Sequence, residues 1–397
     1  MIRRQNRHLL LEALRFHGPA PRVELGRLTS LSPATVTSIT TQLLSEGYLR
    51  EAEVKIEKPD TVRRGRPTIA LELNPAAARV LSLKISIDRF ELALADYSGT
   101  ILARHTGKPT TYTMDRQQVG PLAARHVLDF LSANNVKPRQ IRKLGIAVQG
   151  AAGSQSGHLA WSPAFIARDI PLVQPITEVT GIACSLANDA NMIAEGLMAR
   201  EHYQYKGNAA VVFMGYGVGM GLVIDGKAYH GATGAAAEFG HMNHVPGGAL
   251  CRCGKAGCLE AYASDYGILR AAENLAADTP PPSHAVDPDV MRALENAARR
   301  GDIKAKAAYD TAGRAIGYGL ARLIALLNPD RIVISGPGTA AFDLMVEAMH
   351  QAIEEGVVAE LRQNITIETI AMDHDMIITG TIQKLLHELD RDVFASA

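Results

Sequence analysis

Apolar positions recur three or four apart at Leu9, Leu10, Ala13 and Leu14, which predicts an amphipathic helix over Arg4–Phe16. Gly18-Pro19 stops it, and Val23, Leu25 and Leu28 predict a second, short helix. A third starts at Ser32-Pro33, because Ser is a good N-cap and Pro suits the first helical position. Within it Val36, Ile39, Leu43 and Leu44 face inward, leaving Thr35, Thr37, Ser38, Thr41 and Gln42 outside. Two strands are expected next, Tyr48–Ala52 and Thr68–Leu73, with Arg63-Arg64-Gly65-Arg66-Pro67 in or near the loop that joins them. Helix, turn, Thr-rich helix and two-stranded wing make a winged helix-turn-helix over residues 1–74.

In the body, residues 75–397, strands alternate with helices. Val80–Ile87 reads as a buried strand, Phe90–Ala95 as a second, and Asp96-Tyr-Ser-Gly99 turns into a third from Thr100. The plan recurs about 130 residues later as Ala210–Met214, the turn Gly215–Gly217, Met220–Ile224, and Lys227–Tyr229. Two copies predict an internally duplicated α/β fold. Helices expected over 115–134, 190–203, 265–277, 288–300 and 303–327 cover the sheets, to which Leu144–Val148, Ile182–Leu186 and Arg331–Ile334 add strands. Two such lobes close over a ligand in the cleft between them.

Composition fits this picture. At 397 residues, with 47% hydrophobic and 21% charged positions, the chain suits two or three folded domains and is not disordered. No apolar run reaches the length of a membrane span, no export signal is evident, and a cytoplasmic location is expected. The zero net charge conceals an asymmetry. Residues 1–66 carry 12 Lys and Arg against 7 Asp and Glu, so a basic head sits on an acidic body. That directs the head toward a polyanion. Thr35, Thr37, Ser38 and Gln42 are short polar groups suited to base edges and phosphates, and Arg63, Arg64 and Arg66 to phosphates or a minor groove. The competing reading is a small helical protein-interaction domain with a basic linker.

Candidate chemistry centres on residues 238–260. Cys251, Cys253 and Cys258 fall within eight residues, whereas Cys184 stands alone in an apolar run. Disulfides are rare in the cytosol, and three thiolates with one imidazole make a closed tetrahedral zinc site. His241 and His244 precede Cys251 by ten and seven residues, and the lead-in Glu238-Phe-Gly-His favours His241. Gly254 and Gly257 allow tight turns between ligands. Buried or reactive free cysteines are the alternative. A metal here would shape the loop and hold Glu238 and Glu260 rigid. Asn188-Asp189, where a strand gives way to a helix, can bond vicinal hydroxyls, with Asp189 able to act as general base; the pair can equally be a plain N-cap. Glycines 215, 217, 219 and 221 could bring backbone amides to a phosphate or form a tight turn, but the first copy's loop, Lys84-Ile-Ser-Ile-Asp88, has no glycine.

Gly234-Ala-Ala-Ala-Glu-Phe-Gly-His241, Cys251-Arg-Cys-Gly-Lys-Ala-Gly-Cys-Leu-Glu260, Leu186-Ala-Asn-Asp189 and Asn328-Pro-Asp-Arg-Ile-Val-Ile-Ser-Gly336 together resemble the ROK family of bacterial sugar kinases and sugar-responsive repressors. The basic head resembles that of the repressor branch. The resemblance implies an actin-like, hexokinase-like duplicated ATPase fold behind the winged head, with a structural zinc loop. Asn188, Asp189, Glu238, His241 and Glu260 would hold sugar hydroxyls; His241, Cys251, Cys253 and Cys258 would bind zinc, His241 serving both. A homodimer or homotetramer is implied. The family's kinases carry a Gly- and Thr-bearing phosphate loop where this chain has Lys84–Asp88, and Tyr216 replaces a Thr in the second loop. ATP is therefore not expected as a cofactor. The expectation is a regulator of carbohydrate-use genes, most simply a repressor, whose operator binding a sugar alters. The alternative is an active sugar kinase with an accessory DNA-binding head and Asp189 as its base.

Overall fold

The computed structural model describes residues 2–52, 69–87, 89–201, 207–363, 365–370 and 376–392. In the head, α1 (Ile2–His17), α2 (Arg22–Thr29) and α3 (Pro33–Ser45) pack on a small antiparallel sheet of β1 (Ala20–Pro21), β2 (Leu49–Glu51) and β3 (Ala70–Leu73), ordered β1-β3-β2. Ser32 caps α3 as expected, its hydroxyl accepting from Thr35 N–H at 3.2 Å. Val36, Ile39 and Leu43 are buried, and Leu44 is half-buried. Arg63, Arg64, Arg66 and Thr68 lie outside the described residues.

The body shows the duplication. In the first lobe β4 (Arg79–Ser86), β5 (Arg89–Asp96) and β6 (Ile101–Gly107) form an antiparallel meander. After α4 (Arg116–Ala133), β7 (Lys143–Val148) joins parallel to β4. A small sheet of β8 (Ala151–Gly153), β9 (His158–Trp161) and β10 (Ile170–Pro171) comes next, then α5 (Val173–Thr180) and β11 (Cys184–Asn188), parallel to β7. The second lobe follows α6 (Asp189–Glu201). Here β12 (Ala209–Met214), β13 (Val218–Ile224) and β14 (Lys227–Tyr229) form the meander. The short α7 (Glu260–Ala263) and α8 (Asp265–Ala272), with α9 (Pro288–Arg299) and the long α10 (Ile303–Leu327), lead to β15 (Arg331–Ser335), parallel to β12. Two more helices, α11 (Phe342–Gly356) and α12 (Ala359–Arg362), precede β16 (Thr366–Thr369), and α13 (Met376–Asp392) closes the described chain. The two sheets run β11-β7-β4-β5-β6 and β16-β15-β12-β13-β14, the same order twice.

Three boundaries differ from expectation for local reasons. Gly181 takes a left-handed φ of 70° at the end of α5, and β11 starts later than Ile182. Asn274 at φ 54° follows the end of α8 at Ala272, five residues short of the expected end. The strand expected from Met220 begins at Val218, because only Gly215–Gly217 turn, closed by Gly215 N–H to Gly217 C=O at 3.1 Å.

The head does not sit apart from the body. Leu10, Leu11 and Leu14 of α1 share a buried apolar cluster with Ala95, Tyr97 and, from α13, Ile378, Ile382, Leu385 and Leu386. Burying each of these aliphatic side chains contributes roughly 1.5–3 kcal/mol. A second cluster joins the two lobes through Met192, Ile193 and Leu197 of α6 with Val211, Val333 and Ile377. No helix among the described residues is long and apolar enough to cross a membrane.

Candidate functional site

The two lobes face one another across a cleft. From the first lobe come Gln149, Trp161, Asn188 and Asp189; from the second come Tyr216, Glu238, His241 and Glu260. A bound ligand would therefore touch both lobes at once.

Asn188 ends β11 and caps α6: its Oδ1 accepts from Ala190 N–H at 2.8 Å and its Nδ2 donates to Gly150 C=O at 2.7 Å. The cap reading of this residue is thus realised, and it leaves the side chain fixed at the pocket wall. Asp189 opens α6, with Oδ1 accepting from Ala190 N–H at 2.9 Å. Burial pushes its carboxyl up to about 7; Lys84 opposes this and Glu238 adds to it.

Across the cleft, Glu238 leads into the short turn Phe239–His241. Burial raises its pKa as well. Its Oε1 is buried with no hydrogen-bond partner among the described residues, and so is Oε1 of Gln149. Glu260 is 6% exposed, and its Oε2 accepts from Val218 N–H at 3.2 Å while Oε1 accepts from Tyr266 O–H at 3.2 Å. Three carboxylates, of Asp189, Glu238 and Glu260, and the Gln149 amide converge on this pocket. An acceptor-rich pocket with buried, unpartnered oxygens suits a ligand that brings several hydroxyl donors. Gln149 and Trp161 were not expected. Gln149 follows the last residue of β7 and precedes Gly150, whose left-handed φ of 118° marks a sharp turn at the strand's end. Nothing in the local pattern marks Trp161, which meets the His241 ring edge to face at 5.2 Å.

Directly behind Glu238 and Glu260, His241, Cys251, Cys253 and Cys258 gather with their ligand atoms within 4.8 Å of one another. All the cysteines are free of disulfides. Cys253 Sγ is 3.6 Å from Cys258 Sγ, and Cys251 Sγ is 3.7 Å from His241 Nδ1. Tetrahedral zinc with bonds of about 2.3 Å to sulfur needs ligand spacings of about 3.8 Å, so the donor set and its spacing could hold a zinc ion. Gly254 and Gly257 take φ of 90° and 89°, the turns the loop requires. His244 is not a member of the cluster. The other nitrogen of His241, Nε2, lies 3.8 Å from Glu238 Oε2, so this ring stands between the cluster and the pocket.

A larger cavity of about 450 Å³ adjoins the pocket, with Tyr216 lining both. Lys84 reaches it from β4, paired with Glu91 across the strands at 2.8 Å. Asp265, pushed up to about 6 by burial, and Glu295, also raised by burial, line it too. Asp88 lies outside the described residues.

On the head, Thr37 and Ser38 are exposed on α3. Thr35 is half-buried and bonds the Ser32 hydroxyl at 2.9 Å. Gln42 is engaged at both ends, accepting from Arg3 at 2.9 Å and donating to Glu46 at 2.8 Å.

A model of the ROK family matches residues 80–383. The chain is 27% identical over 374 residues to the DNA-binding transcriptional repressor Mlc of Escherichia coli (strain K12), covering 91% of this chain and 88% of that protein. It is 25% identical over 381 residues to the DNA-binding transcriptional dual regulator NagC of the same organism, covering 94% and 90%. A crystal structure of a ROK family transcriptional regulator, a homologue of E. coli Mlc, superposes with a TM-score of 0.79 over 99% of this chain and 98% of that one, at 24% identity.

Proposed function

The chain belongs to the ROK family, and on that premise we propose that it is a sugar-responsive, DNA-binding transcriptional regulator acting as a repressor of carbohydrate-use genes. The relatives Mlc and NagC are both DNA-binding regulators and match the head as well as the body. The observation that carries the sugar half is the acceptor-rich inter-lobe pocket, with buried unpartnered oxygens on Gln149 and Glu238. Asn188, Asp189, Glu238, His241 and Glu260 bind the hydroxyls, joined by Gln149, with Trp161 as an apolar wall.

Residues 1–74 form the DNA-binding unit and residues 75–397 the effector unit. Thr35, Thr37, Ser38 and Gln42 face the operator on α3, and Arg63, Arg64 and Arg66 of the wing reach phosphates. A palindromic operator needs two heads at a fixed spacing, so a homodimer or homotetramer is part of the reading. His241, Cys251, Cys253 and Cys258 would hold a structural zinc ion, which would supply a rigid cross-link and no reaction chemistry. Glu238 precedes a ligand by three residues and Glu260 follows one by two, so locking the loop orients both carboxylates.

The protein is not an enzyme in this reading. Lys84 is committed to Glu91, Tyr216 occupies the turn between β12 and β13, and the large cavity is lined by Asp265 and Glu295. Buried carboxyls repel a triphosphate unless they are protonated or paired.

Sugar bridging the lobes shifts α6, which begins at Asp189 and packs closely on α13; a Cβ at Gly380 would collide with Met192 C=O, and one at Gly196 with Met376 C=O. The contacts of α13 with α1 then carry the shift to the head. Fluorescence anisotropy on DNA from the protein's own upstream region, titrated with a sugar panel, tests this: one sugar should release specific binding. Rapid ATP consumption with a sugar, lost in Asp189→Asn, would instead establish the kinase alternative.

A further inference from the structure

A second group of metal-ligating side chains comes together at the joint between head and body. His8 and Glu12 stand one turn apart on α1 and so share a face, and α13 sets His387 against them. One donor atom from each lies within 4.8 Å of the others. His387 Nε2 is 3.7 Å from Glu12 Oε1, and the His8 and His387 rings meet edge to face with centroids 5.1 Å apart. Nδ1 of His8 is buried and has no hydrogen-bond partner among the described residues. The three residues are half-buried, which leaves an ion a path in.

We propose that His8, Glu12 and His387 form a divalent transition-metal site that clamps the DNA-binding head to α13. Two imidazoles and a carboxylate are the donor set of open zinc sites, in which water completes a tetrahedron. With bonds of about 2.1 Å that geometry needs donors about 3.4 Å apart, within reach of small rotamer changes from the spacing observed. Imidazole with carboxylate favours Zn²⁺, Co²⁺ or Ni²⁺ over Mg²⁺ and Ca²⁺. The site differs in kind from the cysteine cluster, whose four protein ligands close the coordination sphere. It also has a different consequence. Its ligands come from two units that must dock for it to exist, so an ion that binds only the docked form shifts docking by mass action, about 100-fold at 100 times its Kd. Head placement, and with it operator affinity, becomes metal-dependent independently of any sugar.

The test uses the full chain and Zn²⁺ or Co²⁺ alone as the probe. Equilibrium dialysis with metal analysis should find two ions per chain in the wild type and one in His8→Gln and in His387→Gln. Cobalt at the second site should lack the intense near-ultraviolet sulfur band that the cysteine cluster produces. The ion retained at that cluster reports that each variant is folded. If a variant loses it as well, protection of His8 and His387 from diethyl pyrocarbonate by zinc in the wild type takes its place, read by peptide mass spectrometry. One ion per wild-type chain with zinc in excess, a second ion that survives both substitutions, or no protection of either histidine would overturn the assignment.

Discussion

Replacing Asp390 by Ala should loosen the head from the body. The side chains of Arg15 and Asp390 are each 2% exposed, and they come from α1 and α13. Arg15 Nη2 donates to Oδ2 at 3.0 Å and Oδ1 at 3.2 Å. Tyr97, fully buried in the turn after β5, donates its hydroxyl to Oδ1 at 2.5 Å, while its C=O accepts from Arg15 Nη1 at 2.8 Å. One carboxylate thus holds three segments. Its removal leaves a buried guanidinium without a counter-charge, which costs about 3–5 kcal/mol. Arg15 keeps the Tyr97 carbonyl and the ring below it, 5.1 Å from the guanidinium carbon, so the lower figure applies. The Tyr97 hydroxyl also loses its acceptor, but neighbouring losses do not add. A loss of about 3 kcal/mol is about 150-fold in the docking equilibrium. Hydrogen exchange of the α1 amides reads this directly, and operator anisotropy reads its consequence. Pairing Arg15→Met with Asp390→Leu should recover most of the loss, since apolar replacement of a buried pair is often neutral or better. If Asp390→Ala speeds α1 exchange by less than about threefold, the pair is worth no more than an exposed one and the reasoning fails.

Three further outcomes follow from the site. Because burial raises the Asp189 carboxyl to about 7 from an ordinary value near 4, the folded state binds that proton more tightly than the unfolded chain. Its stability contribution is full below about pH 4 and lost as pH rises through about 7, so Asp189→Asn should stabilise the sugar-free protein at pH 8 by up to about 4 kcal/mol. The gain should shrink on acidification; a pH-independent difference in thermal midpoint would sink the argument. Cys253→Ser should lower bound zinc by one ion per chain and weaken sugar binding at least tenfold by calorimetry, because Glu238 and Glu260 lose their anchor; undiminished sugar affinity in a variant that has lost that ion would separate the loop from the pocket. Thr37→Ala with Ser38→Ala should reduce specific operator affinity with little change in salt slope, whereas Arg64→Ala with Arg66→Ala should flatten the slope; the reverse pattern in anisotropy titrations would exchange their roles.

Much of this molecule was legible along the chain because the signals are local. A cap at Ser32, apolar spacing in α3 and α10, two meanders in the same order, and three cysteines within eight residues all sit inside short windows. Asn188 shows where a local signal stops discriminating: a helix cap and a hydroxyl ligand need the same residue at the same place, and only the Gly150 contact reveals how its amide is held. The remainder depends on distant partners. Gln149, after β7, and Trp161, at the end of β9, line the pocket beside Glu238 and His241, which lie some 80 residues further along the chain. The Arg15–Asp390 pair spans 375 positions, beyond any periodicity.

The helix α13 illustrates the point furthest. No helix was expected here; Ile378, Ile382, Leu385, Leu386 and Leu389 line one face of it and join the cluster shared by β4, β5 and the head. Yet Met376 and Ile377, at its start, belong to the cluster between the lobes, and Gly380 lets it approach α6 at a distance no side chain would permit. The same helix ends with His387 and Asp390 against α1. Interiors packed this tightly do not deform gradually. A displacement of α6 at Asp189 must therefore be absorbed by α13 as a body, and the head, bound to the far end of that helix by a buried ion pair and apolar contacts, has to follow it or undock.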